Sequence, residues 1–261
     1  MLRFAANLSM MYNEVPFLER FAAAAADGFK AVEYLFPYDF KPEEIAHRLQ
    51  SHGLTQALFN LPPGNWDNGD RGLACLPDRK AEFAQSIDTS LPYALATGVQ
   101  RLHVMAGKVP SGQDPAVLRK TYVDNLRLAC DRLAGHGLTV LIEPINQRDM
   151  PGYYLSHQQQ AHDICAQVDR PNIRVQMDLY HCQIVEGDLT RRIAKHFEGI
   201  GHIQIAGVPD RHEPDDGEVN YPSIFHLLDR MGYAGYIGCE YRPRNGTSAG
   251  LGWLHRLAGP T

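Results

Sequence analysis

Four oxygen-bearing side chains follow short apolar segments in the second half of the chain, and their types suit metal-assisted chemistry. Each segment resembles a strand buried on both faces, where an unpaired charge is costly. The four residues are Glu143, Asp178, Gln204 and Glu240, at intervals of 35, 26 and 36 residues. A barrel of eight strand-and-helix units uses roughly 31 residues per unit. The spacing therefore predicts four side chains at the carboxyl ends of successive strands, where such barrels carry their active sites.

Together these residues predict a metal site. A single carboxylate at a strand end could also cap the next helix or pair with an arginine. Two glutamates, one aspartate and one glutamine instead supply hard oxygen ligands, which suit Mg²⁺ or Mn²⁺. Without a cation the three carboxylates would repel one another in a low-dielectric site. We predict a divalent metal ion, Mg²⁺ or Mn²⁺, held by Glu143, Asp178, Gln204 and Glu240.

Three histidines lie near these strand ends. His181 follows Asp178 by three residues, so it is well placed to reach a substrate oxygen. His202 precedes Gln204 by two residues and therefore shares its face of the strand. We predict a core or supporting role for His202, and a core role for His103.

Several cationic residues follow the predicted strands, and together they could hold an anionic substrate. They are Lys108, Arg148, Arg211, Arg242 and Arg244. Most surface cations are merely solvated, so each alone means little. Arg211, in the loop after Gln204, is the one we choose for substrate binding, with Lys108 and Asn60 as further candidates.

The rest of the chain predicts the elements that position these residues. Strand and helix signals alternate from end to end, which is typical of a parallel α/β protein. Eight of each predict one α/β domain over residues 1–261, a (β/α)8 TIM barrel. The third strand is predicted over residues 55–61. Asn13, Asp114 and Ser156 are predicted helix caps, Asp114 being followed by proline at the first helical position.

Composition and missing motifs exclude several classes of function. The 261 residues carry a net charge of −5 without a basic block, which argues against nucleic-acid binding. Five scattered cysteines predict a reduced protein without disulfides. With no signal peptide or bilayer-spanning stretch apparent, we expect a cytoplasmic protein that does not bind membranes, and a homo-oligomer is plausible. Phosphate-loop and dinucleotide motifs and a nucleophile elbow are absent, so no nucleotide cofactor is expected.

Beyond this pattern, the chain resembles the hydroxypyruvate isomerase family of xylose-isomerase-like barrels, which includes the 2-oxo-tetronate isomerases. The resemblance covers essentially the whole chain. It rests on these motifs: Phe59-Asn60-Leu61-Pro62, Gly69-Asp70-Arg71-Gly72, Glu143-Pro144-Ile145-Asn146, Asp178-Leu179-Tyr180-His181, His202-Ile203-Gln204, Arg211-His212-Glu213-Pro214 and Gly238-Cys239-Glu240-Tyr241.

The resemblance implies a divalent metal on Glu143, Asp178, Gln204 and Glu240, with the two glutamates as the acid/base pair. The related ketose 3-epimerases have histidine where Gln204 stands, so glutamine favours the hydroxypyruvate branch. Part of the ligand set of the related endonuclease IV is missing, which makes DNA repair a poor fit.

The implied reaction is metal-assisted isomerisation of a small anionic hydroxy-keto acid. Hydroxypyruvate would become tartronate semialdehyde, or 2-oxo-tetronate would become 3-oxo-tetronate, by enediolate proton transfer between the two glutamates. His181 or Arg211 would stabilise the enediolate. The alternatives are a ketose 3-epimerase and a non-catalytic metal-binding barrel.

Overall fold

The computed structural model describes residues 2–257, and its strands form one sheet in which every described pair is parallel. The strands are β1 (Arg3–Asn7), β2 (Ala31–Glu33), β3 (Thr55–Gln56), β4 (Phe59–Asn60), β5 (Arg101–His103), β6 (Thr139–Ile142), β7 (Ile173–Asp178), β8 (Ile200–Ile205) and β9 (Tyr236–Cys239). Their order in the sheet is β3-β2-β1-β9-β8-β7-β6-β5-β4.

The barrel closes through the third predicted strand, which is broken in two. Its first half, β3, pairs with β2, and its second half, β4, pairs with β5. Ala57 and Leu58 lie buried between the halves, and the Gln56 side chain spans the break by donating to the Leu58 carbonyl at 2.6 Å. Nine strand segments thus occupy eight positions, and the predicted (β/α)8 architecture is confirmed.

Helices cover the outside of this sheet. They are α1 (Phe17–Ala26), α2 (Pro42–Ser51), α3 (Lys80–Thr97), α4 (Pro115–Ala134), α5 (Gln158–Val168), α6 (Leu179–Val185), α7 (Leu189–His196), α8 (Tyr221–Arg230), α9 (Thr247–Gly250) and α10 (Gly252–Leu257). Short 3-10 turns cover Pro77–Arg79 and Phe197–Gly199. Within residues 2–257, no helix combines the length and apolar character needed to cross a bilayer.

The predicted helix caps are only partly correct. Asp114 caps α4 as expected, because its side chain accepts a hydrogen bond from the Ala116 N–H at 2.8 Å. The other two predicted caps are wrong. Helix α1 begins after Pro16 and α5 after His157, neither with a side-chain cap. The Asn13 amide instead donates to the Met10 carbonyl within a turn, and the Ser156 hydroxyl bonds the neighbouring His157 ring.

The two faces of each strand separate the hydrophobic core from the site. Large apolar side chains on one face pack under the helices in a single extensive core. The opposite face points into the barrel, where a small cluster contains only Ala5, Ala31 and Ala57, with Tyr236 beside it. Two residues further along β1 and β2, Asn7 and Glu33 are buried partners in the strand register. Strand alternation thus fills the upper interior with polar groups.

Candidate active site

A cavity of about 740 Å³ opens at the carboxyl ends of the strands. Glu143, Gln204 and Glu240 line it together with His181 and Arg211, so the structure brings most of the predicted site residues into one place. Asn60 also lines the cavity. Lys108 is not among the lining residues, and its backbone pairs with that of Tyr153 in an isolated bridge.

Asp178 lies just behind the cavity wall and is fully buried. It is the register partner of Gln204 on the neighbouring strand. Its Oδ1 accepts a hydrogen bond from the Tyr180 N–H at 2.8 Å, which caps α6. Its Oδ2 lies 3.2 Å from Arg211 Nη2. Helix α6 was not predicted, and it is this helix that carries His181 back towards the carboxylates.

Arg211 is held between two of the carboxylates. Its Nη2 donates to Glu240 Oε2 at 2.7 Å as well as to Asp178, and its guanidinium lies over the Tyr180 ring at 4.9 Å. The backbone of Arg211 has φ of 59°, which is uncommon for a residue with a side chain. Two backbone hydrogen bonds fix this conformation: the Arg211 N–H donates to the Gly207 carbonyl, and the Arg211 carbonyl accepts from the Arg242 N–H.

The hydrogen bonds around His181 define its tautomer. Asn146 Oδ1 accepts from the Asp149 N–H at 2.8 Å, so the Asn146 amide nitrogen must face His181 Nδ1, 2.7 Å away. Nδ1 therefore accepts, and the proton of the neutral ring lies on Nε2. This nitrogen is 3.5 Å from Asp178 Oδ2 and 3.9 Å from Glu143 Oε1. His181 thus presents a donor to the cavity.

A fully buried carboxylate that sequence reasoning missed lies beneath the site. Glu33 accepts hydrogen bonds from Asn7 Nδ2 at 3.0 Å and from Gln204 Nε2 at 2.7 Å, and it contacts His202 Nε2 at 2.7 Å. The same Asn7 amide reaches Glu240 Oε1 at 3.2 Å. His202 is therefore buried beneath the cavity, at the position expected for a core or supporting residue. The sequence did contain a signal for this role of Glu33, because it is a charged residue at the end of a buried strand, as the other carboxylates are.

Further residues complete the wall: sequence reasoning assigned His103 only to the core, and it missed Gln176 and Arg71 as site residues. Gln176 donates to Gln204 Oε1 at 2.6 Å, and His103 Nε2 lies 3.6 Å from Glu143 Oε2. His103 is buried as predicted, but it also lines the cavity. Arg71 lines the cavity as well, from the loop after β4.

Burial makes the charged forms of these groups costly. It raises the pKa of Glu143 well above its usual value, and the charges of Glu240 and Asp178 raise it further. Burial raises the pKa of Glu240 to about 8, although Arg211 acts in the opposite direction. The pKa of Asp178 is raised by burial and lowered less by Arg211. Burial, followed by the charges of Arg211 and Arg148, lowers the pKa of His181 well below its usual value, which keeps the ring neutral.

The donor set suits a divalent cation. Glu143 and Asp178 each offer a carboxylate oxygen within 4.8 Å of the other and of a His181 ring nitrogen. The buried Glu143 Oε1 has no hydrogen-bond partner among the described residues. The Gln204 amide nitrogen faces Glu33, so its oxygen points away from Glu33. The single positive charge of Arg211 does not balance the negative charges of Glu143, Asp178 and Glu240. Hard oxygen donors with excess negative charge fit Mg²⁺ or Mn²⁺.

Comparison with known proteins gives matches over almost the whole chain. The model of the xylose isomerase-like TIM barrel family matches residues 21–257. A 2-oxo-tetronate isomerase of Cupriavidus necator is 60% identical over 259 residues, which cover 99% of this chain and 100% of that protein. A hydroxypyruvate isomerase of Escherichia coli is 43% identical over 254 residues, 97% of this chain and 98% of that protein. The crystal structure of a Brucella melitensis protein named AP endonuclease, family 2, is 54% identical and superposes with a TM-score of 0.96, covering 98% of this chain and 99% of that one.

Proposed function

This chain belongs to the family of xylose isomerase-like TIM barrels and is an isomerase, and we propose that it moves the carbonyl group of a small hydroxy-keto acid to the neighbouring carbon. The observation that carries the proposal is the pair of glutamates, Glu143 and Glu240, facing one cavity beside the Nε2 donor of His181. The resemblance inferred from the sequence motifs is confirmed by the match to the family.

We propose that the substrate is 2-oxo-tetronate or hydroxypyruvate. Both carry a carbonyl next to a hydroxyl-bearing carbon, and both are small enough for a cavity of about 740 Å³. The relative that is 60% identical is named for 2-oxo-tetronate, so this acid is the first to test. The products would be 3-oxo-tetronate and tartronate semialdehyde, respectively.

The proposed metal site consists of Glu143, Asp178, Gln204 and Glu240, which would hold Mg²⁺ or Mn²⁺. When bound, the cation would polarise the substrate carbonyl and acidify the adjacent C–H bond. Glu33 supports this site from below, because it accepts from the Gln204 amide nitrogen and so turns the Gln204 oxygen away from itself. Asn146 supports it from the side by orienting His181.

The two glutamates would transfer the protons. One carboxylate removes the proton from the hydroxyl-bearing carbon, and the other carboxyl delivers a proton to the former carbonyl carbon. The hydroxyl proton passes to the former carbonyl oxygen, so the reaction needs no external oxidant or reductant. His181 Nε2–H would donate to the oxygen on which negative charge develops. Which glutamate acts first depends on the orientation of the substrate.

Two alternatives fit the observations less well. A ketose 3-epimerase would act on neutral sugars, yet four arginines line this cavity: Arg71, Arg148, Arg211 and Arg242. Cleavage of DNA, as the name of the Brucella protein suggests for that protein, would require a surface that attracts phosphates. The net charge of −5 argues against such a surface.

Deuterium exchange in D₂O, followed by NMR, tests the proposal. Enzyme loaded with Mn²⁺ or Mg²⁺ and enzyme treated with EDTA would each receive 2-oxo-tetronate, hydroxypyruvate and a ketohexose. We expect metal-dependent exchange and isomerisation with an acid substrate. Exchange with the ketohexose alone would move the protein to the epimerases. Absence of exchange with all three would refute the isomerase mechanism.

A further inference from the structure

Arg71 presents an unused pair of hydrogen-bond donors at the cavity. Its Nη1 donates to the carbonyl oxygens of Trp66 at 2.9 Å and Asp70 at 2.6 Å. The guanidinium carbon lies over the Trp66 ring, 3.8 Å from its centroid. No described residue supplies an acceptor to Nε or Nη2. The edge formed by these two nitrogens has the geometry that binds a carboxylate through two parallel hydrogen bonds.

The other cavity arginines differ from Arg71 in their partners. Arg211 is neutralised by Asp178 and Glu240. Arg148 lies 3.7 Å from an Asp149 carboxylate oxygen and donates to the Pro209 carbonyl. Arg242 has no side-chain partner among residues 2–257, but it is exposed and lacks the contacts that would fix its side chain. Arg71 is therefore the cavity arginine that is both held in place and free of a carboxylate.

Asp70, the acidic neighbour of Arg71, is already engaged elsewhere. Its Oδ2 accepts from the Asn65 N–H at 2.6 Å and lies 2.8 Å from Arg79 Nη1. The backbone of Gly64 allows this arrangement, because a Cβ there would lie 2.4 Å from the same oxygen. The carboxylate that could neutralise Arg71 is thus turned into the loop.

The loop that carries Arg71 is tied down at both ends. The Gly72 N–H donates to the Pro63 carbonyl at 2.9 Å. Gly72 has φ of +109°, and a Cβ there would lie 2.3 Å from the Met105 carbonyl oxygen. Trp66 packs edge-on against Phe36 at 5.2 Å. These contacts hold the guanidinium in place before any ligand arrives, which lowers the entropic cost of binding.

We propose that Arg71 binds the substrate carboxylate and makes the enzyme select hydroxy-keto acids over neutral hydroxy-ketones. This inference rests on the proposed function. In both proposed substrates the carboxylate is bonded to the carbonyl carbon, so it lies outside the hydroxy-carbonyl unit that reacts. Glu143 and Glu240 line the cavity and Asp178 lies just behind its wall, and these three carboxylates would repel a further carboxylate. A free guanidinium in the cavity wall gives that group a separate partner.

The test compares each acid with its neutral analogue. Dihydroxyacetone is hydroxypyruvate with the carboxylate replaced by a hydroxymethyl group, and erythrulose has the same relation to 2-oxo-tetronate. We would measure kcat and KM for isomerisation, and deuterium exchange, with metal-loaded wild type, R71Q, R71K and R242Q. Thermal melting would verify that each variant is folded.

We expect R71Q to lower kcat/KM for the acids about 100-fold, mainly through KM, because a charged hydrogen-bonded pair is lost. The kcat/KM of R71Q for the neutral analogues should stay within about twofold of wild type. These analogues have no carboxylate, so Arg71 forms no charged hydrogen-bonded pair with them. R71K should recover part of the loss, because it restores the charge but not the paired donors.

Two results would overturn the assignment to Arg71 while leaving the proposed function intact. One is equal loss of activity by R71Q towards acids and neutral analogues, which indicates a structural role of the loop. The other is a loss of acid selectivity in R242Q but not in R71Q, which assigns the carboxylate to Arg242. Wild-type enzyme that fails to isomerise either acid would instead refute the proposed function.

Discussion

Glu33 lies directly beneath Gln204, and its Oε1 accepts a hydrogen bond from the Gln204 amide nitrogen at 2.7 Å. An amide group has one donor end and one acceptor end, so the carboxylate below determines that the oxygen faces the other way. Gln204 Oε1 accepts one hydrogen bond from Gln176 Nε2 at 2.6 Å, and its second lone pair can bind a cation. Glu33 also reaches Glu240 through Asn7, so one buried carboxylate orients two of the proposed ligands.

Replacing Glu33 tests this support. We expect E33A to weaken Mn²⁺ binding by about 10–100-fold, the usual effect of losing a group that orients a metal ligand. E33Q should lose less than about tenfold, because its remaining carbonyl oxygen can still accept from Gln204 while His202 changes tautomer. Isothermal titration calorimetry measures the Mn²⁺ affinity of E33A and E33Q, with the surface variant E82Q as control. Wild-type affinity in E33A would refute the role of Glu33.

Gly238 is required by the same carboxylate. A Cβ at this position would lie 2.3 Å from Glu33 Oε1. The hydrogen bonds of Glu33 leave it little freedom to move, so we expect G238A to destabilise the fold by about 1–3 kcal/mol, the usual cost of overpacking. Chemical denaturation measures the change. Gly135 is the matched control, since it has helical φ of −62° and nothing within 4 Å of its Cβ position. An equal effect of G238A and G135A would contradict the prediction.

Removing either proposed acid/base group should abolish turnover without unfolding the protein. We expect E143Q and E240Q to reduce kcat about 10³-fold or more, since each loses one proton-transfer group. Both side chains remain the same size, so the melting temperature should change little. Glu218 is exposed on the loop after β8, and E218Q serves as control. Full isomerase activity in either site variant would exclude the two-glutamate mechanism.

Metal-free enzyme should lose stability as the pH rises. Burial raises the pKa of Glu240 to about 8, against 4.5 for the free side chain, and the pKa values of Glu143 and Asp178 are also raised. A carboxyl group whose pKa is higher in the folded than in the unfolded state stabilises the fold fully below its unfolded pKa. It loses this contribution as the pH rises to its folded pKa. The melting temperature of EDTA-treated protein should therefore fall between pH 6 and pH 8.5.

Added Mn²⁺ should largely remove this fall, because it neutralises the carboxylates in place of protons. Binding should also release protons at pH 7, which titrations in buffers of different ionisation enthalpy detect. A melting temperature of the metal-free protein that is constant over this range would contradict the expected charge state of the site.

A second pH effect lies far from the site, where His162 and His196 stack with ring centroids 4.1 Å apart. Burial, together with the charge of His196, lowers the pKa of His162 to about 4. The lowered pKa means that stability is complete above the unfolded value of about 6.5 and declines as the pH falls towards 4.

Replacing His162 should reduce this acid sensitivity. We expect the melting temperature at pH 7.5 minus that at pH 5 to be smaller in H162L than in wild type, because both proteins share the contribution of the site carboxylates. The exposed histidine His136 provides the control variant H136L, whose pH dependence should match that of wild type. Identical pH dependence in H162L and wild type would exclude His162 as the sensor.

The architecture and the position of four oxygen-bearing side chains at the strand ends were predictable from the sequence. Alternating strand and helix signals predict a parallel barrel, and parallel strands bring residues far apart in sequence to one end. Glu143, Asp178, Gln204 and Glu240 could be placed together because each follows a buried apolar segment, one strand-and-helix unit after the last. Even the break within the third strand left the predicted topology unchanged, because both halves keep their neighbours.

The pairing of these side chains, in contrast, became visible only in the three-dimensional structure. Arg71 and Arg211 are equivalent in sequence as loop arginines, yet one is free and the other lies between two carboxylates. Glu33 comes from a strand remote in sequence from Gln204, so no local pattern reveals their contact. Periodicity constrains the backbone and the topology. Pairing of side chains from distant strands depends instead on the packing of the barrel interior, which local sequence does not encode.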